Sequence, residues 1–108
     1  MDGDIIIGDF ARAPRSAAAA AQFLSLLANE KRLLLLCHLQ ATGECDVTSL
    51  AAAVGLSASA LSQHLARLRA ENLVAFRRES QTIYYRLEDP RAIELMGVLK
   101  GMFCPTGP

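Results

Sequence analysis

The stretch Thr48-Ser49-Leu50-Ala51-Ala52-Ala53-Val54-Gly55-Leu56-Ser57-Ala58-Ser59-Ala60-Leu61-Ser62-Gln63-His64-Leu65 decides the fold. Leu50, Ala51 and Val54 share one helical face, so the pattern predicts a short helix over 48–54, with Asp46 or Thr48 near its start. Gly55 ends it. The Ser57 hydroxyl can accept from the free amides of a following first turn, which starts a second helix running to about Glu71. Within it Leu61, Leu65 and Leu68 recur at i, i+4 and i+7, an inward stripe. Ser59, Ser62, Gln63, Ala66, Arg67 and Ala70 are left facing outward, small or polar at the front and basic toward the end. Two helices joined by a tight Gly-Leu-Ser turn have helix-turn-helix organisation.

The period changes after Asn72. Leu73 to Arg78 and Thr82 to Leu87 are rich in β-branched and aromatic residues, with Glu79, Ser80 and Gln81 between them. They read as a β-hairpin, although no Asn-Gly or Asp-Gly marks its turn. A hairpin directly after the second helix of the motif makes a winged helix. On the N-terminal side, Ser16 is the expected cap of a first helix that opens on the alanine run 17–21 and continues through Phe23, Leu24, Leu26 and Leu27. Asn29 caps a second helix, in which Leu33 to Leu36, Cys37 and Leu39 make the surface apolar nearly all round and predict a central position in the core. Asp89 and Pro90 open a last helix that reaches about Phe103, stopped by Pro105. The fold class is mainly α, with about five helices and a β-hairpin wing. Residues 1–15 read as an N-terminal tail, 16–104 as the domain and 105–108 as a C-terminal tail.

The chain has 108 residues, one domain's worth, of which 52% are hydrophobic and 20% charged, which fits a packed chain and not a disordered one. Its formal net charge is zero, which at face value argues against a nucleic-acid binder. The distribution along the chain reverses that argument. Residues 1–56 hold four basic against six acidic residues, 57–87 five against two, and 88–108 two against three. The excess is thus +3 on the proposed reading helix and wing, where Arg67, Arg77 and Arg78 are the candidate phosphate contacts. A helix fits the major groove, and its outward Ser59, Ser62 and Gln63 can reach base edges. No nucleophile–base pair, glycine-rich phosphate loop or metal cluster is legible, so an enzyme is not expected, nor is a cofactor. No segment reads as a signal peptide or membrane span, which points to the cytoplasm. The odd count of three cysteines excludes a fully paired disulfide framework.

Four segments together carry a resemblance: Leu27-Ala28-Asn29-Glu30-Lys31-Arg32-Leu33, Val47-Thr48-Ser49-Leu50-Ala51, Leu56 to Leu65, and Ile83-Tyr84-Tyr85-Arg86-Leu87. Over roughly residues 20 to 104 the chain resembles the ArsR family of winged-helix repressors. The resemblance implies a homodimer built on the first and last helices, binding of an imperfectly palindromic double-stranded operator through Ser59, Ser62 and Gln63, and release of that operator when an inducer binds.

Metal sites in the family use paired cysteines at the start of the third helix, or Asp and His on the last. Here Asp46 and Thr48 stand at the first pair of positions, Cys45 is one residue off, and the last helix has no His, so no metal site is expected. Cys37, in Leu36-Cys37-His38-Leu39, and Cys104, after Met102-Phe103, match instead the persulfide-sensing branch of the family. That likeness implies a dithiol switch that closes into a di- or polysulfide bridge with reactive sulfur as inducer, Cys45 being structural or accessory. A repressor answering a metalloid or a general oxidant is the alternative, and a winged-helix protein-binding module is a further one.

Overall fold

The helices and sheet described below come from a computed structural model, which describes residues 13–104. The N-terminal tail up to residue 12, Pro105 and the rest of the C-terminal tail lie outside the described residues. Along the chain run α1 (Pro14–Leu27), α2 (Glu30–Thr42), β1 (Cys45–Asp46), α3 (Val47–Val54), α4 (Ala58–Ala70), β2 (Val74–Glu79), β3 (Thr82–Leu87) and α5 (Pro90–Phe103).

Capping chemistry sets most of these boundaries. The side chains of Asn29, Asp46, Ser57 and Asp89 each accept from a backbone amide in the first turn of α2, α3, α4 and α5 respectively. α1 departs from the sequence expectation. It begins at Pro14, two residues before Ser16, and its cap position, Ala13, offers no side-chain hydrogen bond. Proline has no amide hydrogen to leave unpaired, and its fixed φ is already helical, so it starts the helix without a cap. Gly55 ends α3 in the left-handed region at φ 68° and makes the tight turn of the motif.

The expected two-stranded wing is a three-stranded antiparallel sheet in the order β1-β3-β2. Cys45 pairs with Tyr85 and Asp46 with Tyr84. In the wing itself the register runs from Val74 opposite Leu87 to Glu79 opposite Thr82. That leaves Ser80-Gln81 as a two-residue connection. Ser80 takes φ 59° there, a conformation usually left to Gly or Asn, which explains why no standard turn dipeptide announces the hairpin.

The core gathers one face from each element. Leu35, Leu36 and Leu39 of α2, Leu50 of α3, Leu61 and Leu68 of α4 and Met96 of α5 are almost fully buried. The Leu61, Leu65 and Leu68 stripe is inward as its spacing predicts. α2 is less enclosed than its composition suggests. Leu33 and Leu34 are exposed, Leu34 to 45%, and Cys37 is half-buried. One side of α2 is therefore core and the other is open apolar surface.

Because Leu61 has no accessible area and anchors the start of α4, Leu61→Ala should lower unfolding stability by about 2–5 kcal/mol. Urea denaturation monitored by circular dichroism measures this; a loss within 0.5 kcal/mol, roughly that of a surface substitution, would contradict the packing.

Candidate nucleic-acid interface and thiol cavity

Ser59, Ser62, Gln63 and Arg67 are all exposed, and all lie on the α4 surface opposite the leucine stripe. Ser57 alone of the serines caps the helix. The side chains of Ser59, Ser62 and Gln63 make no hydrogen bond among the described residues, so this row is open to a ligand.

The two wing arginines, alike in sequence, are placed differently. Strand alternation puts Arg78 on the face of the sheet that carries Tyr85 and Ile83. Tyr85 and Ile83 line a small hollow with Ser62, Ala66 and Arg69 of α4, so Arg78 extends the surface next to the reading helix. Arg77 lies on the other face. Its Nε and Nη2 donate to the two carboxylate oxygens of Glu44, each at 2.9 Å, its Nη1 donates to Glu79 at 2.8 Å, and its guanidinium lies over the Tyr84 ring. The hydrogen bond from Arg77 holds the Glu44 carboxyl below the usual carboxylate range, and the two acids raise the Arg77 guanidinium above its own. Arg77 thus fastens the wing to the segment before β1.

Contacts that sequence reasoning missed tie the same surface down. Arg69 Nη1 donates to the Tyr85 hydroxyl at 3.3 Å, and its guanidinium stacks over Phe76, which packs against Tyr85. Arg32 joins three helices. From α2 its Nη1 donates to the Leu26 carbonyl at the end of α1, and its Nε donates to His64 Nδ1 on α4 at 3.3 Å. His64 is thus a half-buried side chain hydrogen-bonded between helices. Partners 16 and 32 residues apart leave no local signal.

The thiols sit apart from this surface. Cys37 and Cys104 line one apolar cavity of about 530 Å³ between α2 and α5, walled by Leu33, Leu34, Met96, Leu99 and Phe103. Glu30 and Lys100 are its two charged lining residues. Cys104 caps the end of α5 and is exposed, Cys37 is half-buried, and both are free thiols. Cys45, in β1, is buried in the core, its thiol pushed up by burial and then by the neighbouring Asp46. Asp46 is spent on capping α3. Among the described residues no group of three or more His, Cys, Asp or Glu side chains is placed to hold a metal ion. Nor is any described helix long and apolar enough to cross a membrane.

Comparison with known proteins agrees with the fold. The family model described as "Bacterial regulatory protein, arsR family" matches residues 29–75, from the cap of α2 into β2. The nodulation protein NolR of Rhizobium meliloti is 51% identical over 87 residues, 81% of this chain and 70% of that protein. The chain belongs to the ArsR family. The biofilm growth-associated repressor of Agrobacterium fabrum is 39% identical over 90 residues, 83% of this chain and 76% of that protein. Among solved structures, reduced HlyU from Vibrio cholerae superposes with a TM-score of 0.82 at 38% identity, covering 87% of this chain and 98% of that one. The protein is a DNA-binding transcription regulator of winged-helix fold and not an enzyme.

The Arg32–His64 contact gives a pH dependence. Burial first, then the Arg32 charge, lower the His64 pKa in the folded state. The unfolded chain, at the ordinary imidazole value of about 6.5, therefore takes up the proton first as pH falls. Stability is complete above that value and declines below it until the folded-state pKa is passed. Thermal denaturation across pH 5 to 8 should show this decline, and His64→Gln should flatten it. An unchanged profile in the variant would assign the dependence to other groups.

Proposed function

We propose that the protein is a homodimeric transcriptional repressor that leaves its operator when Cys37 and Cys104 react with persulfide. The single observation that carries this reading is that the two thiols, 67 residues apart in sequence, line one cavity. Neither is a buried packing residue: one is half-buried and the other exposed.

The chemistry balances without an added oxidant. The Cys37 thiolate attacks the outer sulfur of a persulfide R–S–SH and takes it, and R–S⁻ leaves. The Cys104 thiolate then attacks the Cys37 sulfur bearing that outer atom, forming a disulfide and expelling HS⁻. If Cys104 has also been persulfidated, the same attack by its terminal sulfur leaves a trisulfide and again expels HS⁻. Either bridge ties α2 to α5. Leu24 of α1 and Ile93, Val98 and Met102 of α5 are exposed, Met102 to 69%, an apolar surface suited to a second copy. A bridge between α2 and α5 would then change how the two α4 helices are spaced, and only a difference in DNA affinity between the two thiol states can make this a switch.

On DNA, Ser59, Ser62 and Gln63 face the major groove and Arg67 and Arg78 meet phosphates. Arg77, committed to Glu44 and Glu79, positions the wing. In fluorescence anisotropy against operator DNA over a salt series, Arg78→Ala should reduce the slope of log K against log salt by about 1. Arg77→Ala should weaken binding with little change in slope. Equal slope losses for both variants would return Arg77 to the phosphate contacts.

Cys37→Ser and Cys104→Ser should bind operator as the parent protein does but no longer release it after treatment with a persulfide donor. Mass spectrometry should find a Cys37–Cys104 bridge of two or three sulfurs in the parent. A double variant that still releases DNA would place the switch elsewhere, and a metalloid adduct without a sulfur bridge would favour the metalloid-responsive alternative.

A further inference from the structure

The cavity between α2 and α5 has a chemical character of its own. Its volume of about 530 Å³ falls within the range of small-molecule sites, about 300–1,000 Å³. Five of its nine lining side chains are apolar and two are the thiols; only Glu30 and Lys100 carry charge, and their charges are opposite. A carrier with several carboxylates and an ammonium group, such as a glutathione derivative, would have to surrender their hydration to enter, with one cation and one anion to compensate. An uncharged carrier with hydrocarbon substituents gains by entering, since each buried methylene is favourable. Cys37 stands half-buried in this wall, whereas Cys104 is exposed at the end of α5. Both thiols line the apolar space, and Cys37, the less exposed of the two, depends on it more for access.

We propose that this cavity is a binding site for small, uncharged organic polysulfides, of the dialkyl or diaryl trisulfide class, and that it presents them to Cys37. This rests on the dithiol reading above and adds the class of sulfur carrier. The Cys37 thiolate attacks a carbon-bearing sulfur of R–S–S–S–R. That S–S bond breaks, a Cys37–S–S–R mixed disulfide forms, and R–S–S⁻ leaves. The Cys104 thiolate then attacks the Cys37 sulfur and expels R–S⁻. Two thiolates are oxidised to one disulfide, and the trisulfide is reduced by two electrons to R–S–S⁻ and R–S⁻. Leu34 lines the cavity and is already partly in water, so it can be changed without opening the core.

The test compares dipropyl trisulfide with glutathione trisulfide as reagents for Cys37 in the full chain carrying Cys104→Ser. Each rate is divided by that of the same reagent with a free small thiol. The normalised rate for dipropyl trisulfide should be larger by about tenfold or more, since burial of two methylenes suffices for that factor. Leu34→Gln, which removes apolar surface without adding charge, should remove the advantage while leaving the glutathione trisulfide rate within about twofold, and circular dichroism should show it folded. In the Cys37→Ser/Cys104→Ser protein, unreactive dipropyl sulfide should raise Tm, and Leu34→Gln should abolish the rise. A normalised ratio near one, or no Tm shift, overturns the proposal. Those results would leave the dithiol switch intact, whereas bridging that fails to release DNA overturns the switch and not the site.

Discussion

The two-sidedness of α2 is the constraint on which the rest depends. Leu35, Leu36 and Leu39 are buried almost completely, and the remaining elements assemble against them. The opposite side offers Leu33, Leu34 and Cys37 to the cavity shared with α5. Arg32 and Lys31 at its N-terminal end reach α1, α3 and α4, Lys31 by donating to the Val54 carbonyl at 2.9 Å. One helix is thus the floor of the core, the wall of the thiol site and the anchor of the helix-turn-helix. The direct link from α2 to α4 is the hydrogen bond from Arg32 to His64.

Much of this was legible where the governing interaction is local. Ser57 with its leucine stripe, Asn29, and Asp89 with Pro90 act within one or two helical turns, and each appears in the structure as its spacing implies. Ser16 failed because a serine can cap only where the helix starts, and Pro14 starts it earlier. β1 was not legible. It is two residues long, too short for alternation to register, and exists because Tyr84 and Tyr85 supply its partners. The exposure of Leu33 and Leu34 was misread for a different reason. An apolar helix surface has the same composition whether it meets the core of its own chain or an open cavity.

The candidate site divides along the same line. That Ser62, Gln63 and Arg67 face outward follows from helical spacing. That Arg77 and Arg78 differ does not, because adjacent arginines in a strand are equivalent until it is known which face is packed and which acid lies 33 residues away. Neutral overall charge was a poor guide because nine of the eleven acids lie outside residues 57–87, the segment that carries Arg67 and Arg78. Charge here is organised by position along the chain, and its sum is uninformative.

Asp46 serves two elements at once. Its backbone pairs with Tyr84 in the sheet, and its side chain caps α3. The wing root and the first helix of the motif consequently share one residue, with no intervening hinge. Arg69 clasps the wing again from α4. The helix-turn-helix and the wing are therefore joined at two points, through Asp46 and through Arg69. In the dimer proposed above, a signal from the thiols would then move helix-turn-helix and wing together, and would be read as a change in spacing between two such units.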